Sequence, residues 1–135
     1  MYGSEAIEKV PSIKSVALVT LESYPPQIAV RVVGEAPTGG WNNKGQLIEY
    51  IYFVPPVDGI YDMDLVSEAP NPNAPVVQVV SEITGFHVIN PIPEGFKGVR
   101  VHGASNSVVA MLDDPTVSFE GVRFFEMGVA SSGGG

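Results

Sequence analysis

Residues 60–67 (IYDMDLVS) alternate apolar and acidic side chains more cleanly than any other stretch of the chain. Successive side chains of a β-strand point to opposite faces, so Tyr61, Met63 and Leu65 would share one face while Asp62 and Asp64 share the other. The pattern predicts a strand with the three apolar side chains buried and the two acids at least partly exposed to solvent.

Similar runs, rich in β-branched residues and separated by turn residues, lie on both sides of this strand. We predict strands at residues 15–22, 27–34, 47–54, 60–67, 76–83, 86–90, 99–102, 107–112 and 117–127. No stretch keeps a sustained helical period, and the best helix candidate is the short segment 3–10. About nine short strands at this spacing predict an all-β fold, a two-sheet antiparallel sandwich of the Ig-like or jelly-roll-like kind.

Length and composition indicate one globular domain. The chain has 135 residues, of which 44% are hydrophobic and 16% charged, and its 15 glycines and 12 prolines lie between the apolar runs, as many turns require. We predict an N-terminal tail at residues 1–14, the sandwich at residues 15–128 and a flexible C-terminal tail at residues 129–135.

The charge balance disfavours several classes of partner. The net charge is −8, and the seven lysines and arginines are scattered along the chain, so nucleic acid and anionic membrane surfaces are poor partners. No apolar stretch is long enough to insert across a bilayer, and no signal peptide is visible. The chain has no cysteine, which excludes disulfides and thiolate chemistry.

Asp58, Asp62 and Asp64 form the most suggestive acidic group. Calcium binds several converging carboxylate and carbonyl oxygens, so these three residues are the candidate metal ligands and Ca²⁺ is the candidate cofactor. Their spacing is not that of an EF-hand loop. The simpler interpretation is that acids on the polar face of an alternating strand are solvated, with no cofactor bound.

The loop at residues 35–46 carries the only tryptophan. Trp41 beside Asn42 and Asn43 could stack on a sugar or anchor a protein, which makes these three residues the candidate binding site. The structural alternative is that Trp41 folds back over one end of the sandwich, with Gly39 or Gly40 at positive φ.

His87 and His102 are the only histidines, and both fall on predicted strands. Either could act with Asp62 or Asp64 in a metal-assisted or acid–base hydrolase, but the sequence contains no nucleophile elbow and no zinc-binding histidine spacing. No catalytic residue is therefore assigned.

Three stretches together resemble a group of small uncharacterised bacterial proteins that are often made with export signals: residues 37–41 (PTGGW), 58–66 (DGIYDMDLV) and 98–107 (GVRVHGASNS). The resemblance covers about residues 15–112. It implies a bacterial source and a periplasmic or secreted location, and it carries over no catalytic residue.

The expected function is a non-enzymatic binding or interaction module of the bacterial cell envelope, with an unknown protein or carbohydrate as its partner. The hydrolase is the alternative. Adjacent aromatic residues such as Tyr52 and Phe53 must point to opposite faces of a strand, so both faces would be partly covered. The second sheet would cover one face, and a loop or another subunit would cover the other, which makes a homo-oligomer a further expectation.

Overall fold

A computed structural model describes residues 6–112, which form two packed β-sheets with eight strands and no helix, and hence no helix that could cross a membrane. The strands are β1 (Ala6–Lys9), β2 (Ser12–Leu21), β3 (Gln27–Ala36), β4 (Gln46–Glu49), β5 (Ile60–Ala69), β6 (Ser81–Ile89), β7 (Gly98–His102) and β8 (Ser107–Met111). The predicted all-β, two-sheet architecture is confirmed. The predicted strand at 117–127 and the C-terminal tail lie outside the described residues.

β5 is the central strand of the larger sheet. β4 pairs with it along one edge, while β7 and β1 share the other edge, and β8 pairs with β7. The smaller sheet has the order β2-β3-β6. The expected antiparallel pairing is wrong for β5 and β7, which are parallel because the chain runs through β6 in the other sheet before it returns.

The core lies between the two sheets and is almost wholly aliphatic. On β5 the inward residues Met63 and Leu65 are buried, while Asp62 and Asp64 are half-buried on the outer face. The predicted register of this strand is therefore confirmed, although Tyr61, at the end of the sandwich, is only half-buried. The fully buried side chains are Val10, Ile28, Val30, Val32, Met63, Leu65, Ile83, Val99 and Val101.

The strands predicted at 47–54, 76–83 and 86–90 have the wrong bounds. The run predicted at 47–54 is strand only as far as Glu49, and residues 76–80 are not strand at all. Residues 81–89 form one continuous strand where a break at Gly85 was predicted. A Cβ at position 85 would approach Leu65 Cδ1 to 2.6 Å, so a glycine within this strand permits close packing of the two sheets.

The N-terminal region also differs from expectation. The helix candidate at residues 3–10 is wrong where it is described, since Ala6–Lys9 form β1. Residues 6–14, expected to belong to a tail, include β1, the crossing to the second sheet and the start of β2. Val10 at the crossing is fully buried and donates its N–H to the Leu65 carbonyl at 2.9 Å.

Candidate functional site

The outer face of the larger sheet carries a polar cluster built around Asp62. In the parallel pairing of β5 with β7, Asp62 lies opposite Arg100 and Asp64 lies opposite His102. Alternation along both strands places these side chains on the same outer face, which is why residues 38 to 40 positions apart in sequence meet here.

Asp62 accepts hydrogen bonds from three side chains. Arg100 Nη1 lies 3.0 Å and His102 Nε2 lies 2.7 Å from Asp62 Oδ1, while the Tyr52 hydroxyl donates to Oδ2 at 2.8 Å. We call Asp62, Tyr52, Arg100 and His102 the Asp62 cluster. Its aspartate side chain is 17% exposed, so the carboxylate is occupied by protein donors rather than by solvent.

The Asp62 cluster favours the ionised carboxylate. Partial burial acts to raise the pKa of Asp62, but the hydrogen bonds from His102, Tyr52 and Arg100 outweigh it, so the pKa lies below its ordinary value. The folded protein therefore holds Asp62 as an anion compensated by neighbouring donors.

The Tyr52 hydroxyl has a second role at the end of β4. Tyr50 N–H bonds to the Asp62 carbonyl at 3.0 Å and continues the β4–β5 pairing, but Asp62 N–H bonds to the Tyr52 hydroxyl at 2.9 Å. A side chain thus replaces a backbone acceptor at this point. The chain can leave the sheet after Tyr50 without leaving the Asp62 N–H unpaired.

Asp64 lies beside the Asp62 cluster and has its own partners. The Tyr50 hydroxyl donates to Asp64 Oδ1 at 2.9 Å, and Lys9 Nζ lies 3.7 Å from the same oxygen. Burial, together with the hydrogen bond to Asp64, raises the pKa of Tyr50 to about 12. The Tyr50 ring also stacks on His102, with ring centroids 5.6 Å apart, so Tyr50 covers part of the cluster.

The candidate metal ligands Asp58, Asp62 and Asp64 each lie within 4.0 Å of a lysine or arginine side chain. Asp58 lies 4.0 Å from Arg100, and no group of three or more His, Asp or Glu side chains converges as metal ligands within residues 6–112. The calcium site stays a prediction. A calcium-dependent rise in Tm that is lost in Asp62→Asn would support it.

His87 is separate from the Asp62 cluster. Its ring contacts the carboxylate of Glu49, the last residue of β4, and both side chains are partly exposed. Of the two predicted histidines, the structure brings only His102 together with a predicted aspartate, Asp62.

The segment that joins β4 to β5 carries the most exposed apolar side chains beside this cluster. Ile51, Phe53 and Val57 are each at least 93% exposed, and Val54 is 73% exposed. We call residues 51–57 the apolar loop. Within it only Tyr52 is tied to the sheet by its side chain, through Asp62.

A shallow hollow adjoins the base of the apolar loop. Tyr61 and Phe96 stack in it with ring centroids 5.8 Å apart, and Tyr52 meets Tyr61 edge-on at 5.4 Å. The other residues that line the hollow are Glu49, Tyr50, Asp62, Met63, Ile89 and Pro93. The hollow and the loop give this end of the sandwich an apolar, aromatic surface.

The apolar loop was not predicted, because residues 47–54 have the composition of a single strand. Pro55 and Pro56 correctly predict that no strand continues past Val54, since prolines cannot continue a ladder, but no local signal in the sequence places the end of β4 as early as Glu49. Arg100 and Tyr52 were also missed, because nothing local in the sequence indicates that they meet Asp62.

Trp41, Asn42 and Asn43 lie at the opposite end of the sandwich. Gly40 has φ of 90°, as the structural interpretation predicted, and Trp41 packs against the core, although its ring is only half-buried where a mostly buried ring was predicted. Asn42 donates to Glu68 Oε1 at 3.2 Å, and Asn43 donates to the Glu82 carbonyl at 2.7 Å.

The two asparagines therefore link the larger sheet to the smaller one across their edges. Because their amides are used to hold the loop in place, fewer polar groups are free to recognise a sugar. The binding role of this loop stays a prediction.

Comparison with protein-family models, with curated proteins and with solved structures finds no match to this chain.

Proposed function

We propose that this protein is a non-enzymatic interaction module that binds a protein partner through the apolar loop. The observation that carries the proposal is the group of nearly fully exposed apolar side chains at Ile51, Phe53 and Val57 on one short loop. Single exposed apolar residues are ordinary, but contiguous groups mark interaction sites. Burying one such side chain against a partner contributes roughly 1.5–3 kcal/mol.

The base of the apolar loop is fixed, which favours binding. Tyr52 bonds to both the backbone and the side chain of Asp62, and Gly59 N–H closes a turn on the Pro56 carbonyl at 3.1 Å. Pro55 and Pro56 restrict the backbone between these points. A loop held in one conformation loses less entropy on binding, so more of the contact energy contributes to affinity.

The charges around the apolar loop indicate the chemistry of the partner. Glu49 and Asp58 are at least half exposed, and Glu94 is exposed on the neighbouring turn, whereas Lys97 is the exposed base nearby. A partner surface with an apolar pocket and a basic rim fits this arrangement. The sequence resemblance favours the bacterial cell envelope as the location.

Site-specific photo-cross-linking tests the proposal in the cells that make the protein. A benzophenone side chain placed at Phe53 should yield a discrete protein adduct on irradiation. The matched control is the same group at Tyr24, which is 99% exposed in a different turn and should not give that adduct.

A second variant tests whether the neighbouring apolar residues contribute. Ile51→Ser with Val57→Ser should abolish the adduct formed at Phe53 while the melting temperature is unchanged, because both side chains are in solvent. An adduct that forms equally at both probe positions, or one that contains lipid, would contradict a protein-binding loop.

One observation favours the hydrolase as a second candidate. His102 Nε2 lies 2.7 Å from Asp62 Oδ1, the arrangement of a base with an orienting acid. Within residues 6–112 no serine or threonine hydroxyl is hydrogen-bonded to either histidine. Turnover of nitrophenyl esters, phosphates or glycosides that is lost in His102→Asn and kept in His87→Asn would support this candidate. The absence of turnover in the wild type would count against it.

A further inference from the structure

Residues 76–80 (VVQVV), which we call the valine segment, lie outside both sheets and expose their side chains. Val77, Val79 and Val80 are more than half exposed. The β3–β6 ladder ends at the pair Ala36 and Ser81, and the valine segment continues beyond it. Such a segment has high β-propensity and no charge, which makes it prone to pair with another strand.

One backbone edge of the valine segment is free. Within residues 6–112 its only backbone hydrogen bonds run from Gly39 N–H and from Val79 N–H to the Val77 carbonyl, at 2.8 Å and 2.9 Å. The second of these bonds closes a tight turn at Gln78. The N–H and C=O groups of Val76, Gln78 and Val80 make no backbone hydrogen bond within residues 6–112, and they would line one edge of the segment once it is extended, because backbone groups of alternate residues then point the same way.

The sequence of the segment reads the same in both directions around Gln78. In an antiparallel pair centred on Gln78, Gln78 lies opposite the partner's Gln78 and Val77 opposite the partner's Val79, and because of the palindrome every valine of the segment then faces a valine. Residues 69–81 also contain no charged side chain, so two copies that each carry a net charge of −8 can approach here without close like-charge contacts.

We propose that the valine segment pairs antiparallel with the valine segment of a second copy of this chain, around a two-fold axis at Gln78. An isologous contact of this kind needs a self-complementary surface, which the palindromic segment supplies. The backbone N–H and C=O groups of Val76 then bond to those of the partner's Val80, and the backbone groups of Gln78 bond to those of the partner's Gln78. The tight turn in which Val79 N–H reaches the Val77 carbonyl opens as Gln78 becomes extended.

The contact leaves the apolar loop free. β5 runs from Ile60, directly after the loop, to Ala69, and Pro70 beyond it lies against Gly40 near the valine segment. The two surfaces are thus at opposite ends of the sandwich. A dimer through the valine segment presents two apolar loops and is bivalent, which raises avidity for clustered partners.

Sedimentation equilibrium of the full chain tests the dimer. The wild type and Gln78→Ala should both be dimers, because alanine keeps the backbone N–H at the axis. Gln78→Pro removes that N–H from both copies and should weaken association on the order of 30-fold or more. A wild type that is monomeric up to about 1 mM, or a Gln78→Pro variant that dimerises as tightly as Gln78→Ala, would overturn the proposal.

A charge pair tests the register. Val77→Lys alone and Val79→Glu alone should each weaken the dimer, since each sets a charge against a valine of the partner. Together they should restore association, because in this register each lysine faces a glutamate of the other copy. A double variant no tighter than either single variant would show that the two copies do not pair around Gln78.

Discussion

The Tyr52 hydroxyl donates to the carboxylate of Asp62 and accepts the N–H of the same residue, at 2.8 Å and 2.9 Å. This reciprocal pair joins the apolar loop to the central strand of the larger sheet. Because it satisfies the Asp62 backbone where β4 ends, it allows the chain to turn outward and expose Ile51 and Phe53. The polar cluster and the apolar surface are therefore parts of one arrangement.

Removing the charge of Asp62 should destabilise the fold. Asp62→Asn keeps the size of the side chain but weakens the bonds from Arg100 and His102, so we expect the free energy of unfolding to fall by about 1–3 kcal/mol. Urea denaturation monitored by circular dichroism measures the change.

Asp58→Asn is the matched control for that experiment. The Asp58 side chain is 56% exposed and lies 4.0 Å from Arg100, so its loss should change stability by less than about 0.5 kcal/mol. Equal effects of the two substitutions would show that the Asp62 cluster is not a stabilising network.

The lowered pKa of Asp62 predicts a loss of stability in acid. The pKa of Asp62 in the folded protein lies below the unfolded value of about 4. The ionised carboxylate therefore stabilises the fold fully above about pH 4, and this stabilisation is lost as the pH falls through the lower folded pKa. The stability difference between wild type and Asp62→Asn should therefore shrink between about pH 5 and about pH 2. A difference that stays constant over this range would contradict the assignment of an ionised, paired Asp62.

The sequence was sufficient to predict β5 and its faces, because alternation of Asp62 and Asp64 with Met63 and Leu65 is a local property. The sequence was not sufficient to predict where β4 ends. Residues 47–54 have strand-forming composition throughout, and the event that ends the strand is a contact between Tyr52 and Asp62, 10 residues apart. Local propensity carries no information about such a contact.

The same limit applies to the loop around Trp41. A positive φ at Gly40 could be predicted, because two glycines precede a large side chain that gains from burial. The roles of Asn42 and Asn43 could not, since their partners lie 26 and 39 residues away. Whether the side-chain amide of an asparagine is free for a ligand or bonded within the protein depends on such distant neighbours.

Trp41→Ala should lower the free energy of unfolding by about 1–3 kcal/mol. Truncation of a fully buried aromatic side chain costs roughly 3–5 kcal/mol, and we expect less here because the ring is only half-buried against the core. Thermal unfolding with matched urea titrations gives the value. Phe53→Ala is the control and should be nearly neutral, as that ring is wholly exposed. The opposite order of the two effects would contradict the placement of both rings.

The central claim is that the Asp62 cluster holds the apolar loop in a fixed, exposed conformation. Backbone ¹⁵N order parameters of Ile51, Tyr52 and Phe53 test it most directly, in the wild type and in Tyr52→Phe, which removes only the hydroxyl. We predict order parameters of about 0.85 in the wild type and below about 0.6 in the variant. Order parameters below about 0.6 in both proteins, or of about 0.85 in both, would contradict the claim.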